Sequence, residues 1–122
     1  MHELSVVQNI VETTCRILDE RGIEKAAFLS LVIGEHTGIV PQYVEMYYNE
    51  VCEGTAFAGS ELRIETVRTE YFCRDCGNVF FPGIMGHEHL HREEHCPKCR
   101  SKDLEVIAGN EMMIKEVGYE DN

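Results

Sequence analysis

The chain has 122 residues and a mass of 14.0 kDa, the size of one modest domain or of a small domain carrying an insert. Eleven Lys and Arg stand against 22 Asp and Glu, a formal net charge of −11 at pH 7. That balance argues against nucleic acid or a membrane surface as a partner, since both call for a cationic footprint, and leaves metals and basic protein surfaces.

Leu4, Val7, Val11, Thr14 and Leu18 recur every three or four residues, with Ile10 and Ile17 widening the stripe. This predicts an amphipathic helix from about residue 4 to 21, ended by Gly22 as a C-terminal cap. Ala26 to Ile33 is almost entirely apolar and rich in branched residues, and its shortness favours a buried strand. Gly34-Glu35-His36-Thr37-Gly38 breaks the pattern, and Pro41 suits the first turn of a second helix. On that helix Val44, Tyr47, Tyr48 and Val51 share a face, and Gly54 closes it. Glu61 to Val67 alternates, Leu62 and Ile64 against Arg63 and Glu65, as a strand with one wet face. Leu104 to Ile107 and Met112 to Val117 read as two further strands, with Gly109-Asn110 as a tight turn between them.

The expected fold is therefore α+β: two helices on a small, mostly antiparallel sheet, with a zinc-ribbon-like four-cysteine module inserted. Residues 1–70 and 104–122 form the main domain and residues 71–103 the insert. The insert holds five basic and five acidic side chains, so the whole −11 falls on the remainder. No apolar run approaches the ~20 residues that span a bilayer. Met1-His2-Glu3-Leu4 lacks the basic and apolar segments of a signal peptide, so a cytoplasmic protein is expected.

Four of the six cysteines form two pairs, Cys73-Arg74-Asp75-Cys76-Gly77 and Cys96-Pro97-Lys98-Cys99, separated by 19 residues. Two thiolates three positions apart can grip one ion from a tight turn, and two such turns complete a tetrahedron suited to structural Zn(II). A redox dithiol pair or an iron–sulfur cluster shares this spacing. A closed four-thiolate site has no open position for catalysis, and it folds the segment that carries it. Cys15 and Cys52 lie on predicted helices and read as inert buried thiols.

His2 alone reads as a solvated terminal side chain. Yet the Met1 amine, the His2 amide and imidazole, and the Glu3 amide together offer four nitrogens in fused chelate rings, a planar set that suits Ni(II) or Cu(II) over tetrahedral Zn(II). Further along, His87, His89, His91 and His95 crowd the stretch before Cys96. They read either as a solvated loop or as an accessory metal site. Unperturbed histidines titrate near pH ~6.5, so mild acid would add charge beside the cysteine turns.

Six motifs combine into one pattern: Met1-His2-Glu3-Leu4-Ser5; Ile33-Gly34-Glu35 ahead of Gly38 and Pro41; Gly54-Thr55 ahead of Gly59; Cys73-x-x-Cys76-Gly77; Cys96-Pro97-x-Cys99-x-Ser101; and Gly109-Asn110-Glu111-Met112. Over essentially the whole chain this resembles the hydrogenase nickel-incorporation proteins, the HypA/HybF metallochaperone family. The resemblance implies a nickel-binding domain of helices on a sheet with a zinc domain inserted, and delivery of nickel to the large subunit of nickel–iron hydrogenase. It implies a nickel-binding GTPase as partner and a urease role in some members, and with no nucleophile–base pair or phosphate-cradling glycine-rich loop in the sequence the function is read as binding without turnover. By position it implies nickel ligands at the Met1 amine, His2 and the Glu3 backbone, and zinc ligands at Cys73, Cys76, Cys96 and Cys99. Two departures from the family pattern stand out: Val40-Pro41 offers no acidic residue before the second helix, and the stretch between the two cysteine pairs, which holds Gly86-His87-Glu88-His89-Leu90-His91, is longer than in many relatives. A homodimer is left open. The competing readings are a zinc-ribbon interaction or regulatory module with an inert N-terminus, and a thiol-redox protein.

Overall fold

A computed structural model describes residues 3–83 and 93–120. Met1 and His2, and with them His87, His89 and His91, lie outside the described residues. The elements in chain order are α1 (Glu3–Glu20), β1 (Ala26–Gly34), a 3-10 turn (Glu35–Thr37), α2 (Pro41–Cys52), β2 (Glu61–Val67), β3 (Glu70–Cys73), β4 (Val79–Phe80), β5 (Leu104–Ala108) and β6 (Met112–Tyr119). The strands form two three-stranded sheets, in the orders β2-β1-β6 and β4-β3-β5. The chain divides into two compact units, one of residues up to 32, 39–65 and from 113 onward, the other of residues 33–38 and 66–112.

In the first unit α1 packs on α2. The inward stripe of α1 is Glu3, Val7, Val11, Thr14 and Leu18. Leu4 and Ile17, expected on or beside that stripe, are 40% and 43% exposed. Glu3 takes the inward place at the first turn because its carboxylate finds a hydrogen-bond donor there. Thr14 is buried at no polar cost, since its hydroxyl donates to the Ile10 carbonyl at 2.6 Å within its own helix. Gly22 ends α1 in the left-handed region, with the Ile23 amide donating to the Leu18 carbonyl at 2.9 Å and the Gly22 amide to Asp19 at 3.1 Å. This is a Schellman motif, and it satisfies carbonyls the helix leaves open.

Pro41 stands at the first turn of α2, and Val44, Tyr48 and Cys52 are its buried residues, while Tyr47 and Val51 sit half-buried at the rim. The Tyr48 hydroxyl is paired with Ser60 Oγ at 2.6 Å. β1 is the central strand of its sheet, and Leu29, Leu31 and Ile33 are 1% exposed, which explains why its sequence does not alternate. β2, at an edge, does alternate. Phe28 on β1 is covered by the Arg63 guanidinium, 3.7 Å from its ring centre, and the residue that meets it from β6 has no side chain: a Cβ on Gly118 would lie 1.9 Å from the ring.

In the second unit β3 pairs antiparallel with both β4 and β5, with Tyr71 opposite Phe80 and Val106, and Cys73 opposite Leu104. This differs from the hairpin expected around Gly109-Asn110: β5 and β6 belong to different sheets. The pairing of β3 with β5 closes the cysteine-rich stretch into this unit. Two sequence motifs meet here. The Gly34 amide donates to the Glu111 carbonyl at 2.6 Å and the His36 amide to Gly109 at 2.7 Å. A Cβ on Gly34 would fall 2.1 Å from the Gly109 carbonyl oxygen, so the two backbones approach as closely as they do only because residue 34 has no side chain.

Candidate metal centres

The two cysteine turns are built alike. In each, the amide after the second cysteine donates back to the carbonyl of the first: Gly77 to Cys73 and Arg100 to Cys96, both at 2.8 Å. The first cysteine's own amide is satisfied from beyond the turn, Cys73 by the Asn78 carbonyl at 2.8 Å and Cys96 by Ser101 at 2.9 Å. Gly77 and Arg100 occupy the same left-handed conformation, with φ of 78° and 64°. The chain thereby folds tightly enough to aim two sulfurs at one point twice over.

All four sulfurs lie within 4.8 Å of one another. The Cys73–Cys99 and Cys76–Cys96 separations are each 3.5 Å. A tetrahedral Zn(II) with bonds of about 2.3 Å to sulfur has S···S edges of about 3.8 Å, so the donor set fits that ion. Cys73 and Cys96 are fully buried, while Cys76 and Cys99 face solvent.

The thiols are electrostatically unequal. Burial opposes ionisation of Cys96, but the backbone amides of Cys99 and Lys98 outweigh it and pull the thiol down to about 6. At Cys99 the Ser101 amide favours the thiolate, yet burial and the sulfurs of Cys73, Cys76 and Cys96 push it up to about 12. Four thiolates this close repel one another, and a dication among them removes that repulsion. Around them the Arg74–Asp103 and Lys102–Glu93 pairs, both 2.9 Å, and a hydrogen bond from Ser101 to the Asp75 carboxylate tie the turns together. The two ion pairs are solvent-exposed and add little energy.

Among the described residues this is the one group of three or more metal-ligating side chains. His95, although next to Cys96, is exposed and stands outside it. Cys52 is buried and its thiol is pushed up by that burial, and Cys15 is half-buried, so neither joins a metal cluster.

The candidate nickel site enters the described residues at Glu3. It is the first described residue of α1, and as a residue it is 6% exposed. Glu3 Oε2 accepts a hydrogen bond of 3.0 Å from the amide of Val40, the residue that caps α2. Sequence reasoning missed this contact. The one signal for it is that Val40-Pro41 starts a helix with a residue that has no capping side chain.

Residues 1–119 match the model of the family described as hydrogenase/urease nickel incorporation, metallochaperone, hypA. The chain belongs to the HypA family. It is 33% identical to the hydrogenase maturation factor HypA of Dehalococcoides mccartyi over 124 residues, covering 99% of this chain and 96% of that one. It is also 33% identical to the HypA of Caldanaerobacter subterraneus subsp. tengcongensis, with 98% and 100% coverage. In structure it is similar to the Ni metallochaperone HypA from Helicobacter pylori, with a TM-score of 0.61, 25% identity and 97% of each chain covered. As a HypA-family protein it is a nickel metallochaperone of hydrogenase maturation, with nickel as cargo and a four-cysteine site suited to structural zinc. The reading as a zinc-ribbon interaction or regulatory module without nickel function is not favoured. Among the described residues no helix is long and apolar enough to cross a membrane.

Proposed function

We propose that this HypA-family protein binds Ni(II) through the Met1 amine, the His2 amide and imidazole and the Glu3 amide, and hands it on without chemical turnover. The recipient is the large subunit of nickel–iron hydrogenase, the co-worker a nickel-binding GTPase, and the compartment the cytoplasm. Cys73, Cys76, Cys96 and Cys99 hold the structural Zn(II).

The observation that carries this reading is the position of Glu3 at the start of α1. The first amides of a helix have no intrahelical acceptor, so a metal can displace the Glu3 amide proton without breaking a helical hydrogen bond. The positive end of the helix dipole also favours the anionic nitrogen that results. The Glu3 carboxylate accepts from the Val40 amide, which supports its backbone nitrogen over its side chain as the donor.

Nickel titration of zinc-loaded protein with a native N-terminus tests the reading. Planar nitrogen coordination gives low-spin, yellow Ni(II). His2→Ala is expected to abolish tight nickel binding while zinc content and helicity stay at the parent level. One extra residue before Met1 is expected to do the same damage, because it moves the amine out of chelate reach. Parent-like affinity and spectrum in His2→Ala would refute the site and move attention to His87, His89, His91 and His95.

A further inference from the structure

The first residues of a helix are where it frays, since their amides lack partners and little holds them down. Glu3, the proposed nickel ligand that falls within the described residues, stands in the first turn of α1. Glu3 as a residue is 6% exposed, a carboxylate in such a place is costly to bury unless it is hydrogen-bonded, and Glu3 meets that condition through the Val40 amide at 3.0 Å, 37 residues away in sequence. Val40 has extended backbone angles (φ −89°, ψ 114°) and no side-chain cap of its own, while its carbonyl accepts from Tyr43 and Val44 at 3.0 and 3.2 Å. In a capping box, an acidic residue in the helix's own third position reaches back to the cap amide. Here that position is Tyr43, and Glu3 of α1 supplies the carboxylate instead. One carboxylate therefore lies at the positive ends of two helices, its own and α2.

We propose that Glu3 is a positioning residue for nickel binding: its carboxylate, held by the Val40 amide, pins the first turn of α1 to the start of α2 so that the backbone nitrogen of Glu3 is presented in place for the metal. The carboxylate is a lock and not a ligand. This rests on the N-terminal nickel site proposed above. Without the lock the first turn frays, and the binding-competent arrangement becomes a fraction of the population, which weakens apparent affinity in proportion. By linkage the coupling is reciprocal, so nickel bound at the N-terminus must tighten the Glu3–Val40 contact by the same factor.

The test compares Glu3→Ala, Glu3→Gln and His2→Ala, all zinc-loaded and with native N-termini, by nickel titration, visible spectrum and NMR hydrogen exchange at the Val40 amide. Glu3→Ala is expected to weaken nickel binding about tenfold with an unchanged yellow spectrum, the size of effect that follows when the competent state falls to a tenth of the population. Glu3→Gln, whose carbonyl can still accept from Val40, is expected to stay near the parent. In the parent, nickel is expected to slow Val40 exchange, and in Glu3→Ala it is not. A changed spectrum in Glu3→Ala would make the carboxylate a ligand and overturn the proposal. So would parent-like affinity in Glu3→Ala, or Val40 exchange indifferent to nickel, where His2→Ala loses binding. If His2→Ala binds like the parent, the N-terminal site itself fails, and this proposal falls with it by a separate and recognisable result.

Discussion

Arg100 and Gly77 perform the same backbone task with different side chains. Each follows the second cysteine of its turn, each has a positive φ, and each returns its amide to the first cysteine's carbonyl. A left-handed conformation costs a residue with a Cβ about 1–2 kcal/mol, whereas glycine adopts it freely at the expense of about 0.5–1 kcal/mol of unfolded-state entropy. Arg100→Gly is therefore expected to stabilise the cysteine unit by about 0.5 kcal/mol. Gly77→Ala is expected to destabilise it by about 1 kcal/mol, although no atom lies within 4 Å of the added Cβ. Zinc release under chelator challenge, slower in the first variant and faster in the second, measures both. Equal resistance in all three proteins would show that zinc coordination alone dictates the turn.

At the scale of elements, the packing of α1 on α2 places two ionisable groups in apolar surroundings. The Cys52 thiol is pushed up, first by burial, and the Tyr48 hydroxyl is pushed up for the same reason despite its bond to Ser60. Both groups are neutral when protonated, so folding favours the protonated form. Their contribution is fully present below the unfolded-state value, about 8.5 for a thiol, and is lost as pH rises toward the elevated folded value. The urea midpoint of the helical signal is expected to hold from pH 7 to 8.5 and to fall between pH 9 and 10.5. In the same window iodoacetamide is expected to modify half-buried Cys15 well before Cys52. A flat midpoint across that range would contradict the burial argument.

For the whole molecule, the division that matters is between a unit with an extended apolar core and one in which two of the buried side chains are cysteines of the four-sulfur cluster. Val7, Val11, Leu18, Leu29, Leu31 and Val44 give the helical unit a core of buried side chains. Each stabilises by about 1.5–3 kcal/mol relative to exposure. Among the described residues of the other unit, buried side chains include Ile33, Thr69, Tyr71, Cys73 and Cys96, and the two thiols among them face the sulfurs of Cys76 and Cys99, a set that an ion would hold together. Cys76→Ser is accordingly expected to lose zinc and to expose residues 66–112 to protease, while the helical unit keeps its circular dichroism and its protection from exchange. Stoichiometric zinc with unchanged protease resistance in that variant would remove the assignment of these four ligands.

What the sequence by itself determined about this protein is what short-range physics encodes. The turn of a helix decides which residues share a face, so Val7, Val11, Thr14 and Leu18 were legible as the inner stripe of α1. Left-handed glycine made Gly22 legible as its end. Pro41 marked the start of α2, and alternation marked β2 over Glu61–Val67. The four cysteines that gather are the four whose spacing singles them out, because two sulfurs three residues apart can only face one point from a tight turn. The tertiary structure decided the rest. Periodicity says that a segment is a strand and not which strand it joins, so the pairing of β5 with β3, and the absence of a hairpin at Gly109-Asn110, had no local signature. The need for glycine at residue 34 becomes visible only when the Gly109 carbonyl arrives against it. The sequence marked Glu3 for its backbone nitrogen and gave no sign of what its side chain meets. It is buried because a helix 37 residues away begins with a valine and leaves an amide for it to hold, a donor that no window of sequence around Glu3 contains.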